Sequence, residues 1–218
     1  MKKNGKRQLF SGTFLLAAFA VWTLAIKLID VQPAGETQTL VGFATLNSWF
    51  HSLTGVHMAI YDLTDLLSVI PLGVCALFGL LGVVQMIRRK SLKKVDRDLL
   101  LLGVYYVVVI CFFCLFEVLA VNFRPIFIEG RLEASYPSST TLLVLSVMPT
   151  LIFQADRRCK TPGLKCVVKI ITSAFSAFMV IGRLICGVHW FTDILGGLVL
   201  STGLFLLYKG VVRMFEEK

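Results

Sequence analysis

Charge is scarce in this chain. Asp, Glu, Lys and Arg make up 16% of its 218 residues, and hydrophobic residues make up 56%. A typical soluble domain carries about 25% charged residues, and the mean hydropathy of +0.80 points the same way. A soluble globular class is excluded before any motif is read. The few carboxylates form no cluster able to bind a metal, so neither a metal nor another cofactor is expected. The six cysteines (Cys75, Cys111, Cys114, Cys159, Cys166 and Cys186) suggest neither a disulfide framework nor a zinc site. Cys111-Phe112-Phe113-Cys114 has redox-motif spacing, but it lies in an apolar run with no polar neighbour and reads as packing. There is no internal repeat, low-complexity tract or linker, so residues 1–218 are expected to form one membrane-embedded domain.

The chain does hold apolar runs of the length that crosses a bilayer, about 20 residues each. Their charged borders mark Leu9–Ile29, Leu66–Ile87, Leu99–Val121, Thr140–Phe153, Val167–Cys186 and Phe191–Tyr208. The expected fold is therefore all-α, an integral membrane bundle of about six transmembrane helices. The first run follows a basic patch, as a signal peptide would, but it ends in Lys27-Leu28-Ile29-Asp30 without a small-residue cleavage site and is expected to stay as an anchor. Asn47–Asp65, with Trp49, Phe50, His51, His57 and Tyr61, is expected to lie along the membrane surface.

Lysine and arginine alternate between the connections. The N-terminus, Arg88–Arg97, Arg157–Lys165 and the tail are basic; Val31–Val56 has no positive charge, and Phe123–Pro137 has only Arg124 and Arg131. The positive-inside rule then places both termini in the cytoplasm, in a plasma or cytoplasmic membrane. The net charge of +9 is accounted for by topology and by anionic lipid heads, so a nucleic-acid partner is not needed.

Against that apolar background, Gly182-Arg183-Leu184-Ile185-Cys186-Gly187-Val188-His189-Trp190-Phe191-Thr192-Asp193 holds three ionisable residues where one run ends and the next begins. Such residues are costly at a membrane helix and ask for a function. His189 and Asp193 are four apart, on one face of a helix, where the carboxylate can orient the ring and leave its other nitrogen free. Arg183 offers a planar fork of donors suited to phosphate. On the same outer face lie Arg124-Pro125 and Tyr136-Pro137-Ser138-Ser139-Thr140-Thr141. The latter opens a helix with exposed N–H groups, an arrangement that serves as a plain cap or as an anion site.

These three clusters, in this order, resemble the type 2 phosphatidic-acid phosphatase superfamily of integral membrane enzymes. The family pattern is a lysine, six residues and Arg-Pro; then Pro-Ser-Gly-His; then Ser-Arg, five residues, His, three residues and Asp. Here the corresponding stretch is 117–193. Arg124-Pro125 matches the end of the first motif, Pro137-Ser138 the start of the second, and Arg183, His189 and Asp193 the third. The resemblance implies that His189 attacks phosphorus to form a phosphohistidine and that Asp193 orients its ring. It also implies that Arg124, Arg183 and the start of the fourth span (Ser138, Ser139, Thr140) hold the phosphoryl oxygens, with no metal.

Three positions depart from the pattern. Glu117 stands where the family has lysine, Ser139-Thr140 replaces Gly-His, and Gly182 replaces serine. The replaced histidine is usually the acid that protonates the leaving group, which leads to the expectation that a lipid diphosphate suits this site better than a phosphomonoester. Glu117, seven residues before Arg124, is a candidate for the missing acid or for a structural partner of Arg124 or Arg183. The functions left open are a lipid phosphate or diphosphate phosphohydrolase at the extracytoplasmic face, a lipid-linked phosphotransferase using the same residues, and a non-catalytic lipid-phosphate binder or transporter.

Overall fold

The computed structural model describes residues 2–215. The chain runs α1 (Lys2–Leu28), a hairpin of β1 (Gln32–Ala34) and β2 (Thr39–Val41), α2 (Ala44–Thr54), α3 (Met58–Leu67), α4 (Val69–Arg89), α5 (Arg97–Leu119), α6 (Ser139–Arg158), α7 (Pro162–Ile185) and α8 (Phe191–Phe215). The hairpin is antiparallel and pairs Gln32 with Val41.

Among the described residues, six helices are long and apolar enough to cross a membrane: Asn4–Leu28, Met58–Arg89, Arg97–Leu119, Ser139–Arg158, Pro162–Ile185 and Phe191–Phe215. The six-span bundle expected from hydropathy is the observed architecture. The fourth span is longer than its apolar run of Thr140–Phe153. It continues through Gln154 and Asp156 to Arg158 and carries Pro149 inside the helix. Gln154 is buried and donates to the Tyr208 hydroxyl at 2.9 Å, so the helix persists past the hydropathy border because its polar residues find partners within the bundle.

One expectation is corrected. Asn47–Asp65 is not one surface segment, because α2 stands alone while α3 runs on into α4 as part of the second span. Hydropathy stops short there because Asp62 and Asp65 interrupt the apolar run; Asp65 is tolerated because it meets Arg183.

α6 and α8 form the middle of the bundle. Over their apolar stretches 56% and 50% of residues are buried, against 11% for α7. α1 lies along α8, and α6 packs against α4, α5, α7 and α8. Small residues make the α1–α8 approach close. A Cβ at Gly12 would lie 2.9 Å from the Gly203 carbonyl oxygen, the kind of contact by which membrane helices associate. The outward faces carry Phe10, Leu24, Leu80, Val104, Val118 and Ile170, all exposed. An apolar surface of that extent fits lipid and not water.

The two ends of the bundle differ. At the end holding Arg89, Arg97 and Arg158, Arg158 donates to Asp96 at 2.9 Å and to Asp98 at 2.7 Å. Arg89 meets Asp96 at 2.7 Å and Arg157 meets Asp98 at 3.3 Å. At the opposite end converge the C-termini of α5 and α7, the N-termini of α6 and α8, and α2 and α3. Each cluster singled out in the sequence falls at that end.

Candidate active site

The connection from α7 to α8 is built to present one histidine. α7 ends at Ile185, and Gly187 turns the chain with φ +73, which favours glycine. A Cβ there would also collide with the carbonyl of Gly55, so the turn is held against the α2–α3 junction. Trp190, 1% exposed, anchors the far side and donates from Nε1 to the Phe123 carbonyl at 2.7 Å. α8 then begins, and the third residue of the helix, Asp193, reaches back to accept from the Trp190 N–H at 2.9 Å, half of a capping box. Asn47 of α2 secures the same helix start. Its side chain donates to Thr192 Oγ1 at 3.0 Å and accepts from the Thr192 N–H at 3.2 Å.

His189 is 4% exposed. Its Nδ1 faces the Ser135 carbonyl oxygen at 3.2 Å and the Asp193 Oδ2 at 3.8 Å. A carbonyl oxygen can only accept, so Nδ1 carries the proton and Nε2 keeps its lone pair. Nε2 is buried and has no partner among the described residues. Burial first, then the positive charge of Arg124 and Arg183, holds the imidazole well below its usual value near 6.5. At neutral pH the ring is therefore uncharged.

The two arginines are buried as well, Arg124 at 7% and Arg183 at 2% exposure. Arg183 Nη2 donates to Asp65 Oδ1 at 2.8 Å and to Thr140 Oγ1 at 2.5 Å. Arg124 Nε lies 3.0 Å from Glu133 Oε2, close enough for an ion pair although its angle misses a hydrogen bond. Both guanidinium groups lie over the Tyr61 ring, at 4.7 Å for Arg183 and 5.6 Å for Arg124. Nε and Nη1 of Arg183 and Nη1 of Arg124 remain buried without hydrogen-bond partners among the described residues. Unsatisfied buried donors are costly, and this set carries positive charge beside a free imidazole nitrogen. The chemistry that fits is an oxyanion with several acceptor oxygens.

At the start of α6, Ser138 is the N-cap. Its Oγ accepts from the Thr141 N–H at 3.4 Å, and its own N–H donates to the Asp193 carbonyl at 3.1 Å. The plain capping role thus accounts for Ser138, which has no N–H left for a ligand. The N–H groups of Ser139 and Thr140, in the first helical turn, have no carbonyl to donate to and keep the anion-binding property of a helix start.

Glu117 is placed differently from the expectation. It is exposed on α5 and forms no ion pair with Arg124 or Arg183. The carboxylates that meet the arginines are Glu133 and Asp65. The physical reason is direction. The chain leaves α5 after Leu119, and Arg124 enters an irregular segment where its backbone pairs with Glu133, N–H to carbonyl at 3.0 Å. Two turns of helix do not connect residues 117 and 124. Sequence reasoning also missed Ser135, and it gave no role to Asn122, which donates to Asp193 Oδ1 at 3.3 Å, or to Tyr61. For Asp65 there was a signal, a carboxylate inside an otherwise apolar run.

Beside the Asp65 and Thr140 partners of Arg183, a cavity of about 280 Å³ opens between α4, α5 and α6, lined by Asp65, Leu72, Val109, Phe113 and Thr140 among others. It is apolar along most of its wall and polar at the Asp65–Thr140 end. Among the described residues, no three His, Cys, Asp or Glu side chains group so that they could hold a metal ion.

The family model described as PAP2 superfamily matches residues 113–216. No curated protein sequence matches the chain. In three dimensions the chain is similar to a transmembrane PAP2-type phosphatidylglycerolphosphate phosphatase from Bacillus subtilis. The TM-score is 0.64 at 18% identity, over 94% of this chain and 97% of that one. At that identity the likeness speaks for the fold, and the chemistry rests on the site.

Proposed function

Residues 113–216 belong to the PAP2 superfamily, and from that premise we propose that the protein is a lipid phosphate or diphosphate phosphohydrolase working through a phosphohistidine at His189. The observation that carries the reading is the pairing of a neutral, unpartnered His189 Nε2 with unpartnered donors on Arg124 and Arg183. In the first half-reaction the Nε2 lone pair forms a bond to phosphorus while the bond from phosphorus to the leaving oxygen breaks. Asp193 and the Ser135 carbonyl face the ring as it gains positive charge, and the arginines with the Ser139 and Thr140 N–H groups meet the charge on the equatorial oxygens. In the second, water displaces the histidine and inorganic phosphate leaves.

The cavity between α4, α5 and α6 supports a lipid as substrate, since an apolar tail there would place its headgroup at Arg183 and Thr140. Thr140 supports a diphosphate. Its hydroxyl accepts from Arg183 and is too weak an acid to protonate an alkoxide, whereas a phosphate leaves without a proton. The positive-inside pattern supports an outer-face site with both termini in the cytoplasm.

Phosphate release by purified protein from matched lipid mono- and diphosphates tests this, with His189→Ala as control. The expected result is release from the diphosphate and none from the variant. A clear monoester preference contradicts the substrate class, and an active His189→Ala contradicts the mechanism. A Glu36→Cys chain without its native cysteines, treated in intact cells with a membrane-impermeant maleimide, tests the face; labelling is expected.

A further inference from the structure

Resting on the phosphohistidine reading, a second question follows from the chemistry: the water that attacks the phosphoenzyme must lose a proton, and some group must accept it. The chain has three histidines. His189 is the nucleophile, His51 turns its Nε2 to the Gly187 carbonyl at 3.1 Å, and His57 turns its Nε2 to Thr54 at 2.8 Å. Among the carboxylates, Asp193 is fully buried, with its oxygens engaged by the Trp190 N–H and Asn122. Glu133 is committed to Arg124, and Glu117 is paired with neither arginine.

Asp65 differs from all of these. One of its oxygens, Oδ1, accepts from Arg183 Nη2, the same nitrogen that donates to Thr140, while Oδ2 has no hydrogen bond among the described residues. Its side chain is 61% exposed and lines the cavity shared with Ser139 and Thr140. The rest of α3 is built into the same site. Tyr61, one turn earlier, covers both guanidinium groups. Thr64 packs so tightly on α7 that a Cβ at Gly182 would lie 2.7 Å from its Cγ2. The glycine before Arg183 is therefore what lets α3 come down over the arginine, and α3 is the element that brings a carboxylate beside Thr140.

We propose that Asp65 is the base of the second half-reaction. The water oxygen forms a bond to phosphorus as the P–Nε2 bond breaks and its electron pair returns to the imidazole. The proton lost by that water goes to Asp65 Oδ2 and from there to solvent.

The test uses a polyprenyl diphosphate labelled with ³²P on its terminal phosphate, in detergent, and follows both the release of polyprenyl monophosphate and the acid-labile label on the protein. Asp65→Asn is expected to give a burst of about one equivalent of monophosphate, then turnover lowered by about 10²–10⁴-fold, with label held on the enzyme. Asp65→Asn combined with Thr140→His, which puts an imidazole beside the same Arg183 nitrogen, is expected to restore loss of the label. If Asp65→Asn slows formation and loss of the label equally, Asp65 only positions Arg183 and the proposal is overturned. Should Asp65→Asn fail to fold, as a melting curve would show, Asp65→Glu carries the test. It is expected to slow loss of label but not its formation, and equal slowing overturns the proposal. A His189→Ala variant that still turns over removes the phosphohistidine itself, and the role of Asp65 with it.

Discussion

The Nδ1 of His189 is closer to the carbonyl oxygen of Ser135, at 3.2 Å, than to the carboxylate of Asp193, at 3.8 Å. The tautomer of the ring is thus set by a backbone group, and Asp193 lies just outside hydrogen-bond range. In triads where the carboxylate alone fixes the tautomer, replacing it by an amide costs about 10⁴ in kcat. Here Asp193→Asn is expected to cost less, about 10²-fold or some 2.7 kcal/mol of barrier, with KM little changed. Steady-state kinetics on the variant check this. A loss of about 10⁴-fold would show that Asp193, not Ser135, selects the tautomer.

The position of the His189 equilibrium sets a pH dependence. Burial and the two arginines hold its folded value well below 6.5, so the ring stays neutral through pH 6.5 and the acidic limb of kcat/KM is expected below that value. Arg124→Gln removes one positive neighbour and should move the limb upward. Stability follows the same sign. The unfolded chain takes up a proton on this histidine below 6.5 and the folded one does not, so the group imposes no penalty above 6.5 and a growing one as pH falls. An acidic limb at or above 6.5 in the unaltered protein would contradict the assignment.

Gly182→Ser tests the close approach of α3 and α7. The added Cβ would meet Thr64 Cγ2 at 2.7 Å, and overpacking of this kind costs about 1–3 kcal/mol. Thr64→Ser deletes that methyl yet keeps the hydroxyl that donates to the Ile60 carbonyl at 2.8 Å. In a double-mutant cycle of melting temperatures in detergent, the second change is expected to recover most of the loss. Additive effects would mean that the two sites do not press on each other.

At the other end of the bundle, Asp96 gathers Arg89, Gln85 and Arg158. Burial by itself pushes its carboxyl up, and those hydrogen bonds outweigh it, holding the group at about 2. The unfolded reference is 3.8, so the contribution is complete above 3.8 and is lost as pH falls through about 2. Melting temperatures recorded down to pH 2 should show this loss in the unaltered protein and not in Asp96→Asn. Equal acid sensitivity in both would place the effect elsewhere.

The spans were readable from local composition because crossing a bilayer needs only a run of apolar residues, and such a run is contiguous. Reading fell short where a polar residue had a distant partner. Gln154 extends α6 because of Tyr208, and Asp65 sits inside the second span because of Arg183, which is 118 residues away in the chain. The basic connections tell a similar story. Arg89, Arg157 and Arg158 were readable as an excess of positive charge, but their binding by Asp96 and Asp98 across three helices was not.

By itself, then, the sequence determined the class of the protein, its six apolar helices and the order and spacing of Arg124, Ser138–Thr140, Arg183, His189 and Asp193. Each of these depends on residues near one another along the chain. Only the tertiary structure decided that Asp65 and Glu133 meet the arginines while Glu117 does not. It likewise decided that the Ser135 carbonyl accepts the hydrogen bond of His189 Nδ1 and that Ser138 is consumed as a cap. Those outcomes depend on where helices end and how closely they cross, and a contact between two helices is set by the packing of both, which no local stretch of either contains.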